Sequence, residues 1–320
     1  MKVLVTGATG SIGRPLVKRL AQTGADVTCL VRNKTAADGL EGPGVRLIEA
    51  DVTDIQTLYQ AVAGQDRVYH LAAAHTAPDI KTIYTVNTLG TENVIEACCA
   101  EDHSLKRFVY ISSAAAAGPS PDARPLKETD PPRPVTHYGR SKLLAEKALL
   151  RFKDRLPVVI LRPPTVVGPG NLFFDTILSF IRRGIKPLWQ GCTSLCGLDD
   201  CLDGLLLAAE RAEAIGQTYF ICDGCVYPWE EIVDAIASCA VKRWVLGVRV
   251  PRPLLRGSVP LFVAAAALTR KPHLANKVIE LTHQHWLCDP SKIGRDLGFR
   301  CRQDLRTAMD AWRAGLTTSS

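Results

Sequence analysis

Apolar runs and helical periodicities alternate along the first 165 residues. The runs at 2–6, 26–31, 45–50, 67–72, 107–112 and 157–162 are short and rich in Val, Ile and Leu. Their near-continuous apolar character predicts strands buried on both faces, as in a parallel sheet. Helical patterns at 13–23, 54–63, 88–101 and 137–153 fall between them. Strand–helix alternation with right-handed crossovers predicts an α/β fold with a doubly wound parallel sheet of the Rossmann type. After Pro163-Pro164 the regularity breaks down. Loops rich in Gly and Pro at 168–170, 184–191, 223–228 and 251–260 separate shorter elements. Helices are predicted near 172–183, 200–213, 229–240, 259–268 and 302–315. No linker divides the chain. Residues 1–165 are therefore read as a Rossmann domain, and 166–320 as a smaller, interleaved α/β region that shapes a substrate site.

Composition narrows the class. The 320 residues are 47% hydrophobic and 22% charged, which excludes a disordered chain, a collagen and a coiled coil. Eleven cysteines, odd in number and scattered, argue against a secreted disulfide framework. Cys222 and Cys225 form a CxxC with no second pair, and Cys192 and Cys196 also lack partners, so reduced thiols and no metal are expected. The chain begins Met1-Lys2 and enters an apolar strand at once. No signal-peptide pattern is present, and the expected location is cytoplasmic.

Charge is distributed unevenly. Of 39 Lys and Arg against 32 Asp and Glu, 17 and 16 fall within residues 1–150, whereas 242–302 holds 12 basic and 3 acidic side chains. The total of +7 is too modest to argue for nucleic acid. The basic window surrounds an apolar run, 259–268, with Arg256 before it and Arg270-Lys271 after it. It is too short to span a bilayer. A buried helix with solvated ends is one reading, and membrane-surface contact through 256–271 is the other.

The first strand runs into Gly7-Ala-Thr9-Gly10-Ser11-Ile12-Gly13 and then a helical pattern. Gly7 permits the tight turn, Gly10 lets backbone approach a pyrophosphate, and Gly13 lets the helix pack on the strand. The helix N-terminus offers free N–H groups to the anion. The second strand ends at Arg32, 19 residues after Gly13, where an NAD enzyme usually carries an acidic residue for the ribose. A guanidinium there can pair with a 2′-phosphate, which favours NADP over NAD. Arg32 can also stack on adenine without selecting between them.

Tyr138 and Lys142 form a YxxxK inside a helical pattern, which puts phenol and ammonium on one helix face. A phenol titrates near ~10 unperturbed, and a neighbouring cation lowers that value. The preceding strand ends in Ser112-Ser113, at the sheet edge where ligands bind.

The GxxGxxG loop, the YxxxK helix, "LKETDPPRPVTHYGRSKLLAEKALL", "VVILRPPTVVGPG" and "GLDDCLDGLLLAAE" together resemble the extended short-chain dehydrogenase/reductases, the NAD-dependent epimerase/dehydratase superfamily. The resemblance spans essentially the whole chain. It implies that Ser113, Tyr138 and Lys142 form a catalytic proton relay, with Ser113 polarising the reacting carbonyl, and that Tyr138 and Lys142 also contact the cofactor, Lys142 through its ribose hydroxyls. It further implies that Asp51 and Val52 flank adenine. Leu71, Ala72, Ala73 and Ser112 would lie along the cofactor, Asn87 would order its helix and line the site, and Pro163 would pass the nicotinamide amide. Asp199 or Asp200 would cap a helix. Homodimers are common in the resembled family.

Two departures bear on substrate. Ala116-Ala117 stand where many sugar epimerases carry Tyr and a bulkier residue, and Cys196-Gly197-Leu198 replaces the family's His-Val. Both favour an apolar small-molecule substrate. The chain looks most like the 3β-hydroxysteroid dehydrogenase-like and dihydroflavonol reductase-like members. The leading expectation is hydride transfer between NAD(P) and an apolar alcohol or ketone. A nucleotide-sugar epimerase or dehydratase with tightly bound NAD, and a non-catalytic NADP-binding regulator, are the alternatives. His75, His137, His283, His285, Arg162, Trp189 and Trp286 are candidate pocket residues.

Overall fold

The structure is a computed structural model. It describes all residues except 76, 102–104, 241–243, 270–271 and 318–320, and side chains except also 36, 266–267, 269, 272–275 and 317. Seven strands form the central sheet: β1 (Lys2–Thr6), β2 (Asp26–Val31), β3 (Val45–Glu49), β4 (Arg67–His70), β5 (Arg107–Ile111), β6 (Val158–Arg162) and β7 (Thr218–Phe220). All pairs are parallel, in the order β7-β6-β5-β4-β1-β2-β3. The first six strands fall on the predicted apolar runs. β7 was not predicted, because three residues show no periodicity. It returns from the second half of the chain to pair Tyr219 with Leu161 of β6.

Alternate residues of the strands feed two cores, which is why the runs read as continuously apolar. Val3, Val5, Val27, Cys29, Val109 and Val159 pack on one face, with residues of α1 (Gly13–Gln22) such as Leu16 and Leu20. Leu4, Leu30, Val68, Phe108, Tyr110 and Ile160 pack on the other. There they meet Val94 and Ile95 of α2 (Gly90–Ala100) and Ala145 and Leu149 of α3 (His137–Arg151). α4 (Leu198–Glu210) covers the first face through Leu202 and Leu205. β1 and β4 are neighbours whose connections leave in opposite directions, so a crevice opens beyond their carboxyl ends.

A third core joins Phe174, Ile177, Trp189, Trp229, Ile232 and Trp312 in the second half. The predicted loop at 251–260 is helical, because α5 runs Arg252–Thr269. Pro253 sits in its first turn, where no intrahelical N–H is needed. An unpredicted helix follows, α6 (Pro272–Leu281). The expected helix at 54–63 is a 3-10 turn, Ile55–Thr57, and one short helical turn, Tyr59–Val62. All eleven cysteines are free thiols. Among the described residues no side-chain cluster could hold a metal ion, and no helix is long and apolar enough to cross a membrane. Of the apolar run's basic flanks, Arg270 and Lys271 lie outside the described residues, as do Lys242 and Arg243.

Candidate active site

The glycine loop leaves β1 at the switch point. Gly7 has φ of +68°, a left-handed value that glycine adopts freely. Gly10 N–H donates to Gly7 O at 3.0 Å and closes the turn. A Cβ on Gly13 would lie 2.1 Å from Gly7 O, so α1 enters flush against the loop. No acidic residue occupies the first turn of α1, which leaves its positive end suited to an anion. Thr9, Gly10 and Ser11 are exposed, and Ile12 is half-buried. Arg32 is exposed immediately beyond β2. Asp51 and Val52 follow β3, and Asn93 Nδ2 holds Val52 O at 2.9 Å. Asp51 Oδ1 accepts from Thr53 N and Oγ1, both at 2.9 Å. A glycine cradle, a helix N-terminus and cations beyond the strands suit a dinucleotide.

Ser113 follows β5 in extended conformation and caps the short helix Ala114–Ala117, accepting from Ala115 N at 3.1 Å. α3 then delivers Tyr138 and Lys142 to the same edge. Its start is fixed by Thr136 Oγ1, which accepts from Gly139 N at 3.1 Å. A Cβ on Gly139 would lie 2.2 Å from Ala115 O, so glycine allows the Tyr138 turn to press against the Ser113 segment. Burial pushes the Tyr138 phenol up to about 12, Glu280 adds to the rise, and a hydrogen bond with Ser113 opposes it. Lys142 is fully buried. Its Nζ donates to Ile111 O at 2.6 Å and lies 4.2 Å from the centroid of the Tyr110 ring. Burial draws its pKa down to about 7, against the opposing pull of Glu146.

Behind this edge lies a buried scaffold that sequence reasoning missed. Glu146, one helical turn after Lys142, is 2% exposed in its side chain. It takes Arg162 Nε at 2.9 Å and Nη2 at 2.6 Å, and also accepts from the Ser112 hydroxyl. Arg162 is thus a structural partner of Glu146 and not the pocket residue expected. Ser112 contributes to the cavity wall while its hydroxyl is committed inward. Asn87 clamps two segments: its Oδ1 accepts from Ala74 N at 2.6 Å and its Nδ2 donates to Ser141 Oγ at 2.9 Å. It thereby ties the Leu71-Ala72-Ala73 stretch to α3. His70 bridges Thr6 Oγ1 at 2.7 Å and Thr91 Oγ1 at 2.9 Å, and burial holds it far below the usual histidine range, at about 3.

A cavity of about 360 Å³ opens at this edge. Ser11, Ile12, Ser112, Ser113, Tyr138 and Pro163 line it, joined by Phe173, Trp229 and Trp286 from the second half. Lys277 and Glu280 of α6 are the charged residues of its described wall, and they pair at 3.1 Å. Lys277 Nζ also sits 4.0 Å from the Phe173 ring centroid. His75 lines the cavity and meets the Tyr138 ring edge-on, with centroids 4.9 Å apart. The other candidates serve packing. His137 bonds Tyr84, His283 bonds Ile279 O, His285 bonds Cys192, and Trp189 is core. Neither Asp199 nor Asp200 caps α4, whose N-cap is Gly197. Asp199 pairs with Arg19, and Asp200 accepts from the backbone of Arg302 and Gln303 and so fastens the C-terminal segment.

Residues 3–222 match the model of the NAD dependent epimerase/dehydratase family. The chain belongs to that family. It is an NAD(P)-dependent oxidoreductase of the extended short-chain dehydrogenase/reductase type. The chain is 29% identical over 98% of its length to a 4-hydroxy-2-methyl-3-oxo-4-farnesyl-3,4-dihydroquinoline-1-oxide ketoreductase of Stigmatella aurantiaca, 96% of which is covered. It is 32% identical over 74% of its length to a 2-alkyl-3-oxoalkanoate reductase of Stenotrophomonas maltophilia, 75% of which is covered. The fold of MoeE5, solved with UDP-glucuronic acid and NAD, superposes with a TM-score of 0.79 at 24% identity, covering 100% of both chains.

Proposed function

We propose that this family member reduces an apolar ketone with NADPH, through Ser113, Tyr138 and Lys142. The observation that carries the reading is the cavity wall beside Tyr138, built from Phe173, Trp229 and Trp286 with one ion pair, Lys277–Glu280, as its charged feature. Aromatic walls favour apolar ligands, and a few polar groups orient them. Two relatives named as reductases of oxo compounds support the same choice.

When bound, nicotinamide supplies the hydride. The chain supplies the proton. A phenol pushed up to about 12 keeps its proton at neutral pH, so Tyr138 is poised as a donor, the role that reduction needs. Ser113 Oγ shares the cavity wall with Tyr138 and orients the ketone oxygen toward it. Lys142 lies one turn along α3 with its Nζ on Ile111 O, and in its charged form it would stabilise the phenolate left after proton donation. Its ammonium is also the group for the cofactor's ribose hydroxyls.

Arg32 supports NADPH over NADH. Arg32→Ala should weaken NADPH binding by about tenfold, the loss of one charge-assisted pair, and leave NADH binding unchanged. Titration of nicotinamide fluorescence measures both. Equal losses would assign Arg32 to adenine stacking.

The reading as a whole is tested with purified protein given NADPH and a panel of long-chain ketones, and separately NAD+ and UDP-glucose. Consumption of reduced nicotinamide with a ketone is the expected result. Epimerised sugar without net cofactor consumption would replace the proposal with a sugar epimerase.

A further inference from the structure

We propose that the strand Leu246–Arg249 and helix α5 form a docking surface for an anionic lipid bilayer. Between Asp234 and Glu280 the sequence contains no acidic residue and eight Lys or Arg, of which Lys277 belongs to the cavity wall and pairs with Glu280. Within this stretch large apolar side chains face solvent: Trp244 is 87% exposed, Leu246 72%, Leu254 64%, Leu261 70% and Leu268 87%. Apolar side chains of this size, exposed together in one segment, mark an interaction surface. Leu261 and Leu268 recur at a spacing of seven, which returns to one side of a helix, and Leu254 lies in the part of the helix before Pro260, which interrupts the helix's hydrogen bonding. Arg256 is exposed on the same helix, and Arg249, at the end of the strand that leads into it, is exposed and pairs with Glu230 at 3.0 Å.

Three occupants would meet such a surface differently. Nucleic acid uses the cations but leaves the leucines and the tryptophan bare. A symmetric second copy covers the apolar side chains but sets a cationic segment against itself, with no carboxylate in the segment to answer it. An anionic bilayer takes both: headgroups pair with the cations, and the apolar side chains enter the acyl boundary. The 18-residue helix would lie along the interface, since it does not meet the length and apolarity of a span. The next helix, α6, carries Lys277, Glu280 and Leu281 of the cavity wall. The lipid-facing segment is therefore continuous in the chain with the wall that faces an apolar substrate.

Flotation with phosphatidylcholine vesicles, with and without phosphatidylglycerol, tests the proposal on the full chain. Binding should require phosphatidylglycerol and fall with added salt. Leu261→Asp removes an exposed apolar contact and adds an anion, so it should weaken vesicle binding by about tenfold or more, while turnover of a water-soluble ketone is unchanged. Absence of binding to phosphatidylglycerol vesicles, or binding that Leu261→Asp leaves intact, overturns the proposal. So does a dimer in light scattering that Leu261→Asp splits, which would make this face a subunit interface. Retention on duplex DNA without retention on vesicles also overturns it.

Discussion

Tyr138→Phe is expected to lower kcat by about 10³-fold, within the range that one positioned proton donor contributes, and to leave cofactor binding unchanged. The phenol lines the cavity, and its hydroxyl is within reach of Ser113. Phe keeps the ring that packs edge-on against His75 and removes only the titrating group. The glycine loop follows β1 and Arg32 follows β2, both away from the helix that carries Tyr138. Steady-state turnover and nicotinamide fluorescence, measured on the same preparation, separate the two effects. Retained turnover would remove Tyr138 from the proton relay. Lost cofactor binding would mean that the phenol holds the dinucleotide itself.

Glu146→Ala is expected to produce the largest loss of stability, about 3–5 kcal/mol, the range for stranding one partner of a buried ion pair. The carboxylate accepts both bonds of the Arg162 fork and the Ser112 hydroxyl. Its removal leaves a guanidinium whose side chain is 8% exposed without its anion. Glu146→Gln keeps the shape and part of the hydrogen bonding, so it should cost less. Urea unfolding of the three proteins at an unchanged m-value measures the difference. A loss below about 1 kcal/mol, typical of a surface pair, would show that the cluster carries little of the fold's stability. The same substitution bears on chemistry. Glu146 opposes the fall in the Lys142 pKa that burial causes. Its loss should move that pKa lower and leave less ammonium behind Tyr138 near neutral pH.

The features legible in the sequence were those with local signatures. Six strands could be read because five are largely buried on both faces and so are mostly apolar, and the edge strand β3, with Arg46 and Glu49 exposed, still carries Val45, Leu47 and Ile48. The glycine loop was legible from its spacing, and Tyr138 and Lys142 from theirs. Glu146 had a local signal, four residues after Lys142, but "LLAEKALL" also describes a solvated helix face. Its partner is Arg162, on a strand 16 residues away, and no periodicity joins the two. His70 was hidden for the same reason, since its partners Thr6 and Thr91 come from β1 and α2. Asp199 and Asp200 show the opposite error. The family resemblance implied that one of them caps a helix, yet the tertiary fold uses them to hold Arg19 and the backbone of Arg302 and Gln303. Lys277 and Glu280 reach the cavity only because α6 folds back over it, and α6 was absent from the sequence reading.

On the proposed function, reduced nicotinamide would give its hydride to a ketone carbon held beside Tyr138, and that hydride would stay on the alcohol product while the cofactor is left oxidised. Transfer of deuterium from NADPH labelled at the nicotinamide C4 position tests this most directly. The protein is incubated with labelled NADPH and a long-chain ketone, and separately with NAD+ and UDP-glucose, and the products are analysed by mass spectrometry. The account predicts one deuterium on the carbinol carbon of the alcohol for each cofactor oxidised, and unchanged UDP-glucose. An unlabelled ketone beside epimerised UDP-sugar, with the cofactor not consumed, would contradict it.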